Sequence, residues 1–383
     1  MKRKLSSHFK RIFLLALTCV FLFSACKKNE NTITLGVYAS LTGTTATFGQ
    51  SMNRGVQLAL EELNQKGGLL GKKVQTIVED NQSRPEEAKT SVLKLIKQDQ
   101  VIALIGEVAS SRTLAAAPEA QKYKIPMISP ASTNPKVTEV GDYIFRACFV
   151  DDFQGSAMAR FAYEDLGLRR MAILYDIKND YSVGLMEVFK DSFKKLGGEI
   201  VENISYSEGD IEFRAQLTAI KSKNPDGIYI PGYYTEVGLI ARQARDLGIS
   251  VPLMGSDGWD SSKTVEIGGK AIEGGYYSNH YSAEDPAETV QNFIKKYQGK
   301  YGEIPDAMAV LGYDASNMMF EAIRRAGSTD GKAIRDALAG IKDFQGVSGN
   351  ITMDAKRNAS KKIVILRIEN GKVKFYKSLE ANP

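Results

Sequence analysis

Histidine and cysteine are scarce in this chain: its 383 residues include two histidines and three cysteines. His8 lies in a basic and apolar N-terminal stretch, so a Ser-His-Asp arrangement would have to use His280. The sequence also lacks a G-x-S-x-G elbow, an H-E-x-x-H pair and a C-x-x-C pair. These absences argue against hydrolytic, zinc-dependent and dithiol chemistry. We expect a protein that is not an enzyme and needs no metal or cofactor.

An excess of positive charge is also missing once the first 25 residues are set aside. The formal net charge is +5, and residues 1–25 contain five basic residues and no acidic ones. Removing those five from the 50 lysines and arginines leaves 45, which equals the 45 acidic residues of the chain. A nucleic-acid-binding protein needs a basic surface. We therefore expect no nucleic-acid partner.

The N-terminal segment has the layout of a secretory signal. Basic residues precede the apolar run Ile12–Phe23, which is too short to span a bilayer as a helix, and "FSAC" then ends at Cys26. Residues 1–25 resemble a bacterial lipoprotein signal, which implies cleavage before Cys26, acylation of its sulfur and a polar tether over residues 26–31. The protein would then be extracytoplasmic and lipid-anchored to the cell membrane, on the periplasmic face in a Gram-negative cell. The alternative is an ordinary signal peptide with a chance cysteine.

After the tether, short β-rich runs alternate with helical patterns. "TITLGVY" predicts a strand at Thr32–Tyr38, and the continuous apolar run "VIALIG" is typical of a strand covered on both faces. Such alternation indicates βαβ units and parallel sheets. "KIPMIS" and "SVPLMG" form a weak internal echo, which indicates two sheets of similar build. Near the C-terminus, Asn370-Gly371 between alternating apolar residues predicts a hairpin.

Polar side chains cluster where the predicted strands end, which is where open α/β sheets bind ligands. Ser110 and Ser111 follow "VIALIG" and open a helix, and "SPASTNP" follows the next strand. Hydroxyls beside a helix N-terminus favour an anion site. The alternative for a serine at this position is a helix N-cap.

The second predicted sheet supplies complementary groups. Tyr181, Tyr233 and Asp257 each follow a strand, and an acid at a strand end could hold an ammonium group. The alternative for Asp257 is the N-cap of a short helix beginning near Trp259 or Ser261. Anion donors on one side and an acid with aromatics on the other would suit a zwitterion.

These motifs, taken in order, resemble those of one family. Over residues 31–377 the chain is similar to the branched-chain amino-acid binding proteins, which are type I periplasmic binding proteins of ABC importers. The motifs that carry the resemblance are "LTGTTATFGQ", "LEELNQKGGLLGKKV", "ALIGEVASSRT", "IPMISPASTNP", "GYYTEVGLIARQARDLG", "PLMGSD" and "ILRIENGK".

The resemblance implies an α/β fold of two Rossmann-like, doubly wound lobes joined by a three-segment hinge. Lobe 1 would comprise 31–150 and 281–348, and lobe 2 would comprise 151–280 and 349–383. The chain would cross near 150–154, 279–282 and 348–350. A monomer of this kind would close around a small-molecule ligand and deliver it to an ABC permease in the membrane.

The resemblance also implies roles for individual residues. Ser110 and Thr133 would bind an α-carboxylate together with main-chain groups at Ala131. Asp257 would bind the α-ammonium, helped by the segment from Ala131 through Ser132 to Thr133. Phe48, Tyr181 and Tyr233 would shape the cleft, and Met308 would pack against the ligand side chain.

The predicted ligand is an amino acid, branched-chain or otherwise apolar. The acid is Asp257 where some relatives have Glu, position 308 is Met where many have an aromatic residue, and Phe48 stands where Tyr is frequent. These departures affect the side-chain walls and therefore the specificity. A sensory or regulatory module for an amide or another small molecule on the same fold is the alternative function. A neighbouring permease and ATPase gene would separate the two.

Overall fold

A computed structural model describes residues 31–379, so the predicted signal peptide and Cys26 lie outside the described part. Within it, the strands are β1 (Thr32–Ala39), β2 (Lys73–Asp80), β3 (Leu104–Ile105), β4 (Met127–Ser129), β5 (Ile144–Arg146), β6 (Arg170–Asp176), β7 (Glu199–Tyr206), β8 (Gly227–Tyr229), β9 (Leu253–Gly255), β10 (Tyr276–Asn279), β11 (Phe344–Gly346), β12 (Gly349–Met353), β13 (Ala359–Ser360), β14 (Ile363–Glu369) and β15 (Lys372–Leu379).

The α-helices follow the strands in alternation over most of the described chain. They are α1 (Ala46–Gln65), α2 (Pro85–Lys97), α3 (Ser110–Tyr123), α4 (Lys136–Glu139), α5 (Asp151–Arg160), α6 (Asp180–Lys195), α7 (Arg214–Ser222), α8 (Tyr234–Asp246), α9 (Ser262–Gly268), α10 (Glu288–Tyr301), α11 (Ala307–Ala326) and α12 (Gly331–Ala339). A π-helical turn, Phe161–Asp165, extends α5, and 3₁₀ turns lie at Asp257–Trp259 and Gly269–Ile272. In residues 31–379, no helix combines the length and the apolar character that crossing a membrane requires.

Two large sheets confirm the predicted α/β class. The first has the order β2-β1-β3-β4-β5 with every pair parallel. The second has the order β15-β14-β10-β9-β8-β6-β7, and it is parallel except where β14 pairs with β10 and β15 pairs with β14. Asn370 and Gly371 connect β14 to β15 with φ of 53° and 69°, which is the left-handed backbone that this two-residue turn requires. The predicted hairpin is therefore confirmed.

The run "VIALIG" forms a central strand, although its regular part, β3, is shorter than predicted. Leu104 and Ile105 are fully buried. Beyond them, Ile102 N donates to Thr34 O at 3.1 Å and Gly106 N donates to Ile128 O at 3.1 Å. The run thus pairs with both neighbours over a longer stretch than its regular geometry covers, as its continuous apolar character indicates.

The third predicted crossing between lobes, at 348–350, lies later in the structure. Met353 N donates to Ile341 O at 2.9 Å, and the Arg357 guanidinium donates to Thr138 O at 2.7 Å and Ile144 O at 3.2 Å. The first bond holds β12 beside the end of α12, and the Arg357 bonds attach the segment after β12 to α4 and to β5 of the first sheet. The chain reaches the second sheet only at β14, so the proposed boundary at 349 is too early. The other lobe boundaries stay predictions.

Helices α1 and α11 pack closely because glycines face the neighbouring backbone. A Cβ added to Gly55 would lie 2.0 Å from Ala309 O, and one added to Gly312 would lie 2.3 Å from Met52 O. This contact fixes where Phe48 on α1 and Met308 on α11 stand. Close approach of the two helices thus sets one wall of the cleft.

We expect Gly55→Ala to lower the free energy of unfolding by about 1–3 kcal/mol, because the methyl group forces the packed helices apart. Urea unfolding measures this change. Gly299→Ala in α10 is the matched control, since a Cβ there meets no atom within 4 Å. The control should gain up to about 1 kcal/mol from helix propensity. Equal stability of Gly55→Ala and wild type would contradict the packing argument.

Candidate functional site

A small cavity lies between the two sheets, at the carboxyl ends of their strands. It is lined by Phe48, Val108, Ala131, Tyr181, Tyr233, Asp257, Gly258 and Met308. The space inside it is about 10 Å³, roughly the room that one water molecule needs. The cavity lies where the topology of open α/β sheets predicts a ligand.

Most of the predicted site residues meet at this cavity. Those that line it are Phe48, Ala131, Tyr181, Tyr233, Asp257 and Met308. They come from both sheets: α1 and α11 supply Phe48 and Met308, whereas Asp257 follows β9 of the second sheet. Val108 and Gly258 also line it and were missed, because an apolar residue and a glycine carry no chemical signal in a sequence.

The Asp257 carboxylate is buried and engages side chains. Its Oδ1 accepts from Tyr181 OH at 2.8 Å, and its Oδ2 lies 3.0 Å from His280 Nε2. The helix that follows is capped by Ser261, whose Oγ accepts from Lys263 N at 3.2 Å. The N-cap alternative for Asp257 is therefore not favoured, since another residue provides that cap.

Aromatic rings form one wall of the cavity. Tyr181 and Tyr233 stack with ring centroids 5.2 Å apart, and Phe48 meets Tyr233 edge-on at 5.5 Å and Tyr234 edge-on at 4.8 Å. Burial raises the pKa of Tyr181 well above its usual value, and the nearby Asp257 charge raises it further. The Tyr181 hydroxyl thus remains a donor at physiological pH, and it also accepts from Gly258 N at 2.9 Å.

Ser110 is buried at the start of α3, but it does not cap this helix. The N-cap position is Ala109, without a side-chain cap, and Ser110 Oγ accepts from Asn134 N at 3.2 Å. The N-cap alternative for Ser110 is therefore wrong. Its hydroxyl instead joins the N-terminus of α3 to the loop after β4, the two segments predicted to form the anion site.

The hydroxyl, N–H and carbonyl groups of Ser132 all form hydrogen bonds with other residues of the protein. Its Oγ lies 2.7 Å from Thr113 Oγ1 and 2.9 Å from Glu107 O, and its N donates to Ser129 Oγ at 2.9 Å. Its carbonyl accepts from the Arg146 guanidinium at 2.7 Å. These bonds argue against direct ligand contact and indicate that Ser132 shapes the loop that carries its neighbours.

Thr133 differs from Ser132, because its buried Oγ1 makes no hydrogen bond of good geometry within residues 31–379. Its hydroxyl lies near the Asp151 carboxyl group at the start of α5. The Oδ2 atom of Asp151 is also buried without a hydrogen bond of good geometry in the described chain. Because buried polar groups are usually well bonded, the Thr133 hydroxyl has capacity left for a ligand. Burial raises the pKa of Asp151 to about 8, although the contact with the Thr133 hydroxyl lowers it. No motif in the sequence marks this buried acid.

Several polar contacts join loops and helices that follow strands of the first sheet to loops and helices that follow strands of the second. Arg112 on α3 pairs with Glu208 at 3.1 Å, and the Asn134 amide donates to Asp180 O at 2.8 Å. On the far side of the cavity, Asp260 Oδ2 accepts from Ala307 N at 2.7 Å. The cavity is thus enclosed by bonds between the two halves, as in a cleft that has closed.

Comparison with known proteins agrees with this architecture. The periplasmic binding protein family matches residues 32–372. A Leu/Ile/Val-binding protein of Rhizobium johnstonii is 31% identical over 323 residues, which cover 84% of this chain and 87% of the relative. The crystal structure of a leucine-binding protein, LivK, from Thermotoga maritima superposes with a TM-score of 0.88 at 40% identity, covering 91% of this chain and 99% of that one.

A second similar solved structure contains a bound ligand. LivJ of Streptococcus pneumoniae, a branched-chain amino-acid transporter substrate-binding protein solved with isoleucine, has a TM-score of 0.87 at 34% identity, covering 92% of this chain and all of that one. These matches confirm the predicted type I periplasmic binding protein fold. Because the family matches nearly all of the described residues and the relatives share their fold over most of its length, the chain belongs to the periplasmic binding protein family.

Proposed function

We propose that this protein is an extracytoplasmic solute-binding protein of an ABC importer that binds a branched-chain or other apolar amino acid. The observation that carries the proposal is Asp257, the one acid among the eight residues that line the cavity. A buried carboxylate at the end of a strand provides a counter-charge for an ammonium group. The relatives named for leucine, isoleucine and valine support the same ligand class.

The remaining walls of the cavity favour an apolar ligand side chain. Phe48, Val108 and Met308 present hydrocarbon and thioether surface, and the cavity is small. A charged or strongly polar side chain would lose its hydration there without gaining a partner. An aliphatic amino acid instead leaves water for an apolar surface, at about 25 cal/mol for each Å² buried.

The opposite side of the cavity suits the ligand carboxylate. Ser110 and Thr133 lie beside the N-terminus of α3, where unpaired N–H groups and the helix dipole favour an anion. Ala131, two residues before Thr133, lines the cavity, whereas Ser110 and Thr133 are buried behind its lining. In this proposal the lobes close by hinge motion around the zwitterion, and the monomeric, non-enzymatic protein delivers it to a membrane permease.

A ligand screen tests the proposed function. Purified protein would be heated with each free amino acid, because a ligand at a hundred times its Kd stabilises a folded protein by about 2.7 kcal/mol. We expect leucine, isoleucine or valine to raise the melting temperature and lysine and aspartate to leave it unchanged. If a compound without an ammonium group stabilises the protein and none of the amino acids does, the proposal is overturned.

We expect Ser110→Ala and Thr133→Ala each to weaken amino-acid binding by about 1.5–3 kcal/mol, the usual loss for a hydrogen bond to a charged group. Calorimetric titration measures the affinity. Ser132→Ala is the informative control, since it removes a hydroxyl that bonds Glu107 O and Thr113. It should lower the melting temperature more than the affinity. Unchanged affinity in both predicted variants would place the anion site elsewhere.

We also propose lipid anchoring at Cys26, on the strength of the basic residues, the short apolar run and "FSAC" before it. Two or more acyl chains hold a protein on a membrane at about 0.8 kcal/mol for each buried methylene. Cys26→Ser should therefore move the protein from the membrane fraction to the soluble fraction after cell lysis. Retention of that variant on membranes would rule out the anchor.

A further inference from the structure

His280 is in direct contact with the predicted ammonium-binding acid. Its Nε2 lies 3.0 Å from Asp257 Oδ2, and its side chain is fully buried. It directly follows β10, within the segment predicted to form the second crossing between the lobes. The sequence singled out this histidine only as the one candidate for a triad, and the proposed binding function does not yet use it.

The ring of His280 is held in a fixed orientation. It stacks on Phe149 with centroids 3.8 Å apart and planes inclined by 20°. The main-chain N–H of His280 is also bonded, and it donates to Asn279 Oδ1 at 2.8 Å. Packing and backbone bonding therefore aim Nε2 at Asp257, and the contact does not depend on a mobile side chain.

The protonation state of His280 decides what the contact can do. Burial lowers the pKa of His280 to about 4, although the neighbouring Asp257 opposes this change. The ring is thus neutral at physiological pH, and Nε2 carries the proton because an ionised carboxylate can only accept. A neutral donor orients the carboxylate without cancelling its charge, whereas an imidazolium would compete with the ammonium group of a ligand.

Counting lone pairs shows what remains for a ligand. An ionised carboxylate has about four acceptor positions. Tyr181 OH takes one on Oδ1 and His280 takes one on Oδ2. The two protein donors leave one position on each oxygen, and Asp257 lines the cavity.

We propose that His280 is a positioning residue for ligand recognition, which holds Asp257 so that its free acceptor positions face the ammonium group of an amino acid. The inference rests on the proposed function, since it assigns Asp257 the ammonium. It predicts that His280 affects affinity only through Asp257.

A double-mutant cycle tests this dependence with L-leucine as the probe, titrated into the millimolar range by calorimetry. His280→Met, which keeps the bulk but removes the donor, should weaken leucine binding about tenfold or more, the loss for a hydrogen bond to a charged group. His280→Gln should stay within about threefold of wild type because its amide keeps a donor at a similar reach. In the Asp257→Asn background, His280→Met should have little further effect.

Tyr229→Phe is a matched control. It removes a buried hydroxyl that lies 2.6 Å from Ser256 Oγ, next to Asp257 in the chain, without touching the carboxylate. Its affinity for leucine should stay within about threefold of wild type. Melting temperatures recorded for every variant separate loss of folding from loss of binding.

The outcomes distinguish the two levels of the proposal. If wild type binds none of leucine, isoleucine and valine, or if Asp257→Asn binds leucine as well as wild type does, the proposed function fails and the role of His280 fails with it. If Asp257→Asn weakens binding but His280→Met has no effect, only the positioning role is overturned. The same holds if His280→Met causes the same loss in both backgrounds, because a merely structural residue gives additive losses.

Discussion

Asp257→Asn is expected to weaken amino-acid binding by about a hundredfold or more. An ammonium group buried without its counter-charge loses roughly 3–5 kcal/mol, and each 1.4 kcal/mol is tenfold in affinity. The substitution keeps the size of the side chain and one acceptor oxygen for Tyr181. Its amide can donate to His280 once the ring carries its proton on Nδ1. We therefore expect the melting temperature of the ligand-free protein to change little.

Calorimetry with the amino acid found by the screen measures this effect. An N-acetylated ligand is an independent check, because acetylation removes the charge from the ligand instead of from the protein. The wild-type protein should bind it about as poorly as Asp257→Asn binds the free amino acid. Normal binding by Asp257→Asn would refute the ammonium role, since Asn and Asp are nearly equivalent only as helix caps.

The positions of the cavity residues could be predicted from the sequence because they follow from topology. Strand-helix alternation determines which loops lie at the carboxyl ends of the strands. Ala131 follows a strand of the first sheet, and Tyr233 and Asp257 follow strands of the second. Each strand is recognisable from its apolar pattern, so topology alone places each residue at the carboxyl edge of its own sheet. Phe48 and Met308 lie on helices and came only from the family resemblance.

What each polar side chain does in the site could not be predicted, because it depends on contacts between residues far apart in the chain. Ser132 and Thr133 are neighbours with similar hydroxyls, yet one is bonded to Glu107 O and the other makes no hydrogen bond of good geometry in the described chain and lies near Asp151. The pairing of Asp257 with His280 depends on how β9 and β10 align. The late crossing to β14 depends on hydrogen bonds between Arg357 and the first sheet.

The buried acid at the start of α5 leads to the second large prediction. We expect Asp151→Asn to stabilise the ligand-free protein increasingly as pH rises from about 5 to about 8. Burial raises the pKa of Asp151 to about 8; the Thr133 hydroxyl and the Arg146 charge oppose this change, and the charge of Asp257 adds to it. Over that range the unfolded chain has lost this proton and the native state still holds it. Wild-type stability therefore falls by up to about 1.4 kcal/mol for each pH unit.

The sign of the pH dependence makes this prediction specific. Below about pH 4 the carboxyl group is protonated in both states, so Asp151→Asn should have little effect there. Above about pH 8 it is ionised in both states, and the gain in stability should level off.

Urea unfolding at a series of pH values gives the difference in stability between variant and wild type. Asp152→Asn is the matched control, because Asp152 is the next residue of α5 and its side chain is exposed. Its side chain remains in contact with water in the folded protein, so its substitution should leave the slope of the wild-type curve in place. If Asp151→Asn instead destabilised the protein most at pH 8, the native state would be using the Asp151 charge, and burial would not be what controls its protonation.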